Sequence, residues 1–500
     1  MELLLSVNRN ERRPIQVQLY EGVRALILNA GLKPGQRLPS SRLLAHDLAL
    51  SRNTVTLSYE RLAAEGYVTT RPKAGTYVNR EIPDAGVLVR RRHPAVAQGG
   101  PERTRLGRNP PFSGRAQELW PGGRRPQFDL FVGRPSMSGF PARFWRRSAA
   151  RHLSHPQRSL TEYGDPRGLL ALRQGIAQHL RATRGIVASP EQVLITAGIQ
   201  GALNIIARIF LAGRSASAVA IENPCYQGAA FLFASYGARL FPIDVDQRGL
   251  QVEQLARFAG SLVYVTPSHQ FPTGCTMALE RRLHLLDWAY RTGSYLVEDD
   301  YDSDFRYDGP PLTALAGLDR RGRVIYLGTF SKSIGAGMRL GYIVWPEHLL
   351  EQARIVKALL DNGNPWLEQA VVADFLREGE FLRHLRRIRS LYVAARDALL
   401  ESLHAAFGEI DISGAEGGMH VMWRLPPPLP DARAMQAIAL SCDVGLYPLA
   451  AAAGHEFEGR RRFGERSLVL GYTALTPTQL REAIMRVAAG VRHASTVALH

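Results

Sequence analysis

Over the first eighty residues, apolar positions recur with a helical period. Ile15, Leu19, Val23, Leu26 and Ile27 step by three and four residues and define one apolar helical face. Gly31 and the pair Pro34-Gly35 end it. Ser40 or Ser41 caps a second short helix carrying Leu43, Leu44 and Leu48. Ser51 caps a third, with Val55, Tyr59 and Leu62 turned inward and Gly66 as its stop. The pattern then becomes extended. Residues 67–70 and 76–78 flank a turn at Pro72-Lys73-Ala74-Gly75 and predict a small hairpin. Three helices followed by a hairpin predict a winged helix-turn-helix.

Beyond residue 126 the pattern alternates between strand and helix. Leu169, Leu172, Ile176 and Leu180 mark a helix, as does the stretch 280–291. Short apolar runs at 218–221, 262–266, 295–298 and 324–327 mark strands. Such alternation predicts an α/β domain with a mostly parallel sheet covered on both faces. Ligands in these folds lie beyond the carboxyl ends of the strands. The polar residues to examine are therefore Glu222-Asn223-Pro224, Pro267-Ser268-His269, Asp299-Asp300 and Thr329-Phe330-Ser331-Lys332.

Between these regions, residues 80–125 break the composition. They hold Arg90, Arg91 and Arg92 in a row, the pairs Gly99-Gly100, Pro110-Pro111 and Gly122-Gly123, and little apolar periodicity. They read as a flexible basic linker. Three parts follow: a winged helix-turn-helix over 1–79, the linker over 80–125 and an α/β domain over 126–500. A chain of 500 residues is also too long for one efficient core. The formal net charge is +17, and residues 1–125 carry +11 of it. That concentration points to a polyanionic partner at the N-terminal end. No apolar run is long enough to predict a membrane span, and no secretory leader is legible. Cys225, Cys275 and Cys442 are odd in number and widely spaced, which predicts a reducing cytoplasm and neither disulfides nor zinc.

The third helix offers Arg52, Asn53, Thr54 and Thr56 near its N-terminus, where a recognition helix meets base edges in the major groove. Arginine forks onto guanine and asparagine onto adenine. Arg71 and Lys73 at the hairpin tip suit a phosphate or the minor groove. In the large domain, lysine usage is the informative feature. Only four of the 62 basic residues are lysines: Lys33, Lys73, Lys332 and Lys357. Lys332 directly follows an apolar strand. Arginine, with a pKa above ~12, cannot lose a proton and attack a carbonyl as a desolvated lysine can. A carboxylate at Asp299 or Asp300 would keep a pyridine nitrogen protonated, so that the ring acts as an electron sink. Gly198, Ile199 and Gln200 open a helix after a strand and offer backbone N–H groups to a phosphate. Thr329, Ser331 and Arg339 add hydroxyls and a cation for the same group. The nucleotide-binding P-loop spacing is absent.

Two resemblances follow from these residues. The run LKPGQRLPSSRLLAHDLALSRNTVTLSYERLAAEGYVTTRPKAGTYV resembles the DNA-binding domain of GntR-type bacterial regulators. By that resemblance Arg42, Ser51, Arg52, Thr54 and Gly75 fall at DNA-facing positions. From residue 126 onward YGDPRG, ITAGIQ, ENPCY, PSHQFPTG, EDDYDSDFRYDG and GTFSKSIGAGMRLGY appear in the order of fold-type I, pyridoxal 5′-phosphate-dependent aminotransferases. The wording EDDYDSDFRY resembles the MocR-type regulators, GntR-type winged helices fused to an aminotransferase-like domain. The resemblance implies a smaller C-terminal α+β subdomain and pyridoxal 5′-phosphate as cofactor. It implies Lys332 as the residue carrying the internal aldimine and Asp299 as partner of the pyridine nitrogen. Tyr301 would contact the ring oxygen and Tyr226 would stack on the ring. Thr329, Ser331, Arg339 and the backbone of 198–200 would hold the phosphate. Tyr163 would reach the site of the other subunit in a head-to-tail homodimer.

Three positions depart from the aminotransferase pattern. Phe271 stands where the loop usually has Asn, leaving His269 or Gln270 as replacements for its polar contact. Val469 stands where an Arg usually binds the substrate carboxylate, and Arg424 is an alternative carboxylate ligand. Cys225 stands where Gly is common, a neutral change. These departures favour a regulator over a working aminotransferase with a DNA-binding appendage. The expected function is a transcriptional regulator that binds operator DNA and senses pyridoxal phosphate or an amino compound.

Overall fold

The computed structural model describes residues 7–8, 13–29, 31–71, 74–82, 125–155, 160–213, 217–307, 312–460 and 462–497. The wing-tip residue Lys73 and linker residues 83–124 lie outside them. The chain divides into two compact units, Met1–Leu106 and Gly107–His500.

In the first unit α1 (Ile15–Leu28), α2 (Ser41–Asp47) and α3 (Arg52–Ala64) precede a hairpin of β1 (Val68–Arg71) and β2 (Gly75–Val78). The predicted apolar positions supply its core. Leu19, Val23, Ile27, Leu44, Val55, Tyr59 and Leu62 are buried, and Tyr67, Val68 and Val78 close the core from the hairpin side. Leu43 stays exposed. Ser40, rather than Ser41, caps α2 by accepting from Leu43 N. The Ser51 hydroxyl caps α3 by accepting from Thr54 N at 3.1 Å. Each cap satisfies a backbone donor that the helix itself leaves free.

The second unit is built on an eight-stranded sheet. Its strands are β3 (Val193–Thr196), β4 (Ala218–Asn223), β5 (Arg239–Asp246), β6 (Gly249–Leu250), β7 (Leu262–Val265), β8 (Tyr295–Asp299), β9 (Val324–Thr329) and β10 (Gly341–Val344). Their order is β3-β10-β9-β8-β7-β4-β5-β6. The central pairings are parallel, as the alternating pattern predicts. Strand β10 is antiparallel to both neighbours, with Gly341 opposite Thr329 on one side and Thr196 on the other. The start of β10 therefore meets the carboxyl ends of β3 and β9. That reversal brings Arg339, two residues before β10, to the edge where Gly198 and Lys332 also emerge.

Helix Gly198–Phe210 covers one face of the sheet through Ala202, Leu203, Ile205, Ile206 and Ile209. Helix Leu279–Thr292 covers the other through Leu285, Leu286, Trp288 and Ala289. The C-terminal part is the expected α+β layer. Its antiparallel strands β11 (Asp411–Ser413), β12 (His420–Arg424), β13 (Tyr447–Pro448) and β14 (Ser467–Gly471) run in the order β11-β12-β14-β13. Helices Glu380–Phe407 and Pro477–Val497 pack against it. Among the described residues, no helix is long and apolar enough to cross a membrane.

Candidate functional site

The carboxyl ends of β8 and β9 open into a cavity of about 330 Å³, lined among others by Ile199, Gln200, Tyr226, Asp299, Tyr301, Thr329, Ser331, Lys332 and Arg339. Nine of the eleven cofactor-site residues named from sequence line it, and Gly198 lies directly behind Arg339.

Asp299 and Asp300 are adjacent on a strand end, so their side chains leave on opposite faces. Asp299 faces the cavity. Asp300 pairs with Arg184 at 2.8 Å and accepts from the Tyr326 hydroxyl at 2.6 Å. Of the two carboxylates, Asp299 alone is among the residues that line the cavity. Asp299 Oδ2 accepts from the Tyr264 hydroxyl at 2.6 Å, whereas the buried Oδ1 has no hydrogen-bond partner. Burial, against the pull of Tyr264, pushes the Asp299 carboxyl up to about 7. A buried carboxylate oxygen without a donor is costly, and a ring N–H entering the cavity would satisfy it.

Lys332 follows β9 in the Thr329-to-Arg339 turn and donates to the Gly133 carbonyl at 3.2 Å. Burial lowers its ammonium pKa, opposed by Asp302 and Asp299. Gly133 has φ +71°, and a Cβ there would lie 2.3 Å from Lys332 Nζ. The glycine makes room for the amine. Its segment is anchored by Asp129, which accepts from the Tyr447 hydroxyl at 2.6 Å and from Phe131 N at 3.2 Å, and also pairs with Arg125 and Arg134.

The opposite end of the cavity is cationic. Arg339 donates to the Ala197 carbonyl at 2.9 Å, and its guanidinium lies across Gly198. Gly198 has φ +74°, and a Cβ there would come within 3.1 Å of that guanidinium. Thr329 Oγ1 donates to Ser331 Oγ at 3.0 Å and accepts from Ser331 N at 3.1 Å. Hydroxyls, a guanidinium and a helix N-terminus converge as a phosphate cradle requires. An orphaned carboxylate oxygen, a desolvated amine and this cradle fit pyridoxal 5′-phosphate.

Tyr226 lies edge-on to Phe271, with ring centroids 5.9 Å apart, and its hydroxyl accepts from Gln200 Nε2 at 3.1 Å. Tyr301 is half-buried and its hydroxyl lies 3.1 Å from His269 Nδ1. The two replacements considered for the Asn contact separate clearly. Gln270 donates to the Pro224 and Phe271 carbonyls at 2.8 and 2.7 Å and accepts from Thr273, so it turns away from the cavity. His269 reaches the cavity only through Tyr301.

Other expectations are corrected or relocated. Arg424 is not among the residues that line this cavity: it is half exposed at the end of β12, 3.5 Å from Asp411, and stacks on Phe463. Val469 is buried against Phe131, Val132 and Tyr447, an apolar wall behind the cavity. Cys225 is fully buried, and burial pushes its thiol pKa well up. Tyr163 is 89% exposed and does not line the cavity of its own chain. The sequence reading misses Tyr264, Gly133 and His420. A lone polar ring in the strand run LVYV signals Tyr264, and nothing local signals Gly133.

In the first unit Arg42, Arg52 and Asn53 are exposed along α2 and α3, and Thr54 and Thr56 are half-buried. Thr56 donates to the Arg52 carbonyl. The Ser51 hydroxyl is engaged in the cap and with Thr54 Oγ1 at 2.7 Å. On the wing, Arg71 lies over the Tyr77 ring at 5.1 Å. Gly75 has φ +113°, and a Cβ there would meet the Arg37 guanidinium at 2.9 Å. Its lack of a side chain seats Arg37, a surface cation the sequence reading does not single out.

Comparisons with known proteins align with this division. Residues 15–78 match the family model of bacterial regulatory proteins, gntR family, and residues 126–484 match aminotransferase class I and II. The probable rhizopine catabolism regulatory protein MocR of Rhizobium meliloti is 35% identical, over 96% of this chain and 94% of its own length. The pyridoxine biosynthesis transcriptional regulator PdxR of Corynebacterium glutamicum is 31% identical, over 84% of this chain and 85% of its own. Among solved structures, the Pyrococcus horikoshii kynurenine aminotransferase superposes with a TM-score of 0.66 and 30% identity, over 73% of this chain and 91% of its own.

Proposed function

Since the chain belongs to the MocR-type transcriptional regulators, a GntR-type winged helix-turn-helix joined to a class I and II aminotransferase domain, we propose that it binds operator DNA under the control of pyridoxal 5′-phosphate held in its large unit. One observation carries this reading: the unpartnered Asp299 Oδ1 and the desolvated Lys332 amine share one cavity with the Arg339 cradle.

Lys332 would hold the cofactor covalently, Asp299 its ring nitrogen, Tyr226 its ring face and Tyr301 its ring oxygen. Thr329, Ser331, Arg339 and the backbone of Gly198, Ile199 and Gln200 would hold its phosphate. Bound there, the group supplies an aldehyde for reversible attachment of amines and an electron-withdrawing ring. The protein's own contribution is positional. Burial keeps the Lys332 amine ready to lose its proton, and Gly133 gives it space.

The effector is the cofactor itself or an amino compound that displaces Lys332. Among the described residues lining the cavity, the cations are Lys332 and Arg339. With Arg339 engaged by phosphate, none remains to fork onto a substrate carboxylate, which favours sensing over turnover. Arg42, Arg52, Asn53, Thr54, Thr56, Arg71, Lys73 and Gly75 would face DNA, with Ser51 fixing the recognition helix. The protein would act in the cytoplasm as a head-to-tail homodimer, with the exposed Tyr163 completing the partner's site.

Borohydride reduction of the cofactor-treated full chain, followed by peptide mass mapping, tests the assignment. The expected product is a single modified residue, Lys332. Modification at Lys33, Lys73 or Lys357 instead, or at none, overturns it.

A further inference from the structure

Tyr301, His269 and Asp302 form a hydrogen-bonded line that leads from the cavity into the protein. His269 Nδ1 lies 2.9 Å from Asp302 Oδ2 and 3.1 Å from the Tyr301 hydroxyl. The Asp302 carboxylate accepts, so Nδ1 carries the hydrogen and shares it with the Tyr301 oxygen. His269 then occupies the acceptor side of that hydroxyl. Burial, the charges of Asp302, Asp299 and Glu222, and a hydrogen bond toward Asp302 hold the Tyr301 phenol well above its ordinary range, so it remains an O–H donor.

The packing fixes this arrangement. His269 and Asp302 are buried. Gly418, at φ +73°, lies so close that a Cβ would come within 2.4 Å of His269 Nδ1 and 2.6 Å of Asp302 Oδ2. Its carbonyl is itself held by the Tyr307 and Tyr472 hydroxyls at 2.6 and 2.8 Å. Cβ atoms on Gly274 and Gly414 would lie 3.0 and 3.3 Å from His269 Nε2. Burial opposes a charge on the ring, but Asp302, the Gly414 backbone and Glu416 outweigh it. The neighbouring His420, 4.8 Å away between ring centroids, is driven the other way by burial and by His269.

We propose that His269 is a positioning residue: clamped by Asp302, it directs the Tyr301 hydroxyl hydrogen into the cavity, toward the ring oxygen of the cofactor. This rests on the cofactor reading above. Phe271 gives the arrangement added weight, because it offers that oxygen no hydrogen bond and Tyr301 becomes its principal donor.

The test is the pH midpoint of the visible absorption band of the cofactor-loaded full chain. A hydrogen bond to the ring oxygen stabilises its anion and lowers that midpoint. Tyr301→Phe and His269→Leu should each raise it by about one pH unit. His269→Asn places an amide N–H near the position of Nδ1 and should stay close to the native midpoint. Asp302→Asn preserves volume, lets the amide donate to Nδ1 and should raise the midpoint even where leucine at 269 disturbs packing. An unmoved midpoint in Tyr301→Phe, or in both His269→Leu and Asp302→Asn, overturns the proposal. The unloaded chain gives a separate reading: ¹⁵N-histidine NMR, assigned by difference with His269→Asn, should show Nδ1 protonated. An unprotonated Nδ1 there overturns the proposal. Failure of the native chain to take up pyridoxal phosphate overturns the cofactor reading instead.

Discussion

Asp299 and Asp300 show how far one residue's surroundings determine its work. Each keeps one buried oxygen without a hydrogen-bond partner, but the first lines the cavity and the second pairs with Arg184. Because burial raises the folded pKa of Asp299 to about 7, the unloaded fold binds this proton more tightly than the unfolded chain does. Its contribution to stability is therefore fully present below the unfolded value and is lost as pH rises from about 4 to about 7. Asp299→Asn should flatten that part of the stability curve in the unloaded protein and weaken cofactor binding at least about tenfold, the cost of one charge-assisted hydrogen bond. Thermal melts across pH and a cofactor titration check both; an unchanged affinity would remove Asp299 from the site. Gly198→Ala puts a methyl against the Arg339 guanidinium at a left-handed φ, with an expected strain of about 1 kcal/mol or more and weaker phosphate binding. Free phosphate competing equally well against cofactor in native and variant protein would contradict it. The sequence pointed to Asp299 only through the resemblance, because neighbouring carboxylates on a strand are indistinguishable until the strand's facing is known.

At the scale of elements, the recognition helix depends on its first turn and its inner face. Ser51→Ala removes the hydroxyl that accepts from Thr54 N and should cost about 1 kcal/mol of winged-helix stability. Leu62→Ala empties a fully buried position and should cost about 2–5 kcal/mol, enough to unfold much of so small a core. Denaturant titration of the full chain, following the earlier unfolding step, measures both; equal small effects would mean that the helix is held by something other than its apolar face. Helical period made α1 to α3 legible, since one face carries Val55, Tyr59 and Leu62 at steps of three and four. Short apolar runs likewise gave β4, β7, β8 and β9. The reversed strand β10 was not legible as antiparallel, because strand direction leaves no trace in a run such as Gly-Tyr-Ile-Val. Yet that reversal is what carries Arg339 to the edge that lines the cavity.

Across the whole molecule, the site gathers residues from Gly133 to His420, and sequence distance hides most of those meetings. Lys332 was legible because lysine is scarce in this chain and arginine cannot do its chemistry. Gly133 was not, since its role is to leave space for an amine 199 positions away. DNA binding belongs to the N-terminal unit and the proposed cofactor site to the other, so the proposed function requires the two to be coupled. Shifting a DNA-competent population from 1% to 99% takes about 5.5 kcal/mol of differential binding. The most direct measurement of that coupling is operator affinity, read by fluorescence anisotropy on the native promoter fragment with and without pyridoxal 5′-phosphate, for the native chain and for Lys332→Ala. The cofactor should change the native affinity at least about tenfold and leave that of Lys332→Ala unchanged. A native affinity indifferent to the cofactor, or a Lys332→Ala chain that responds as the native one does, would contradict the coupling.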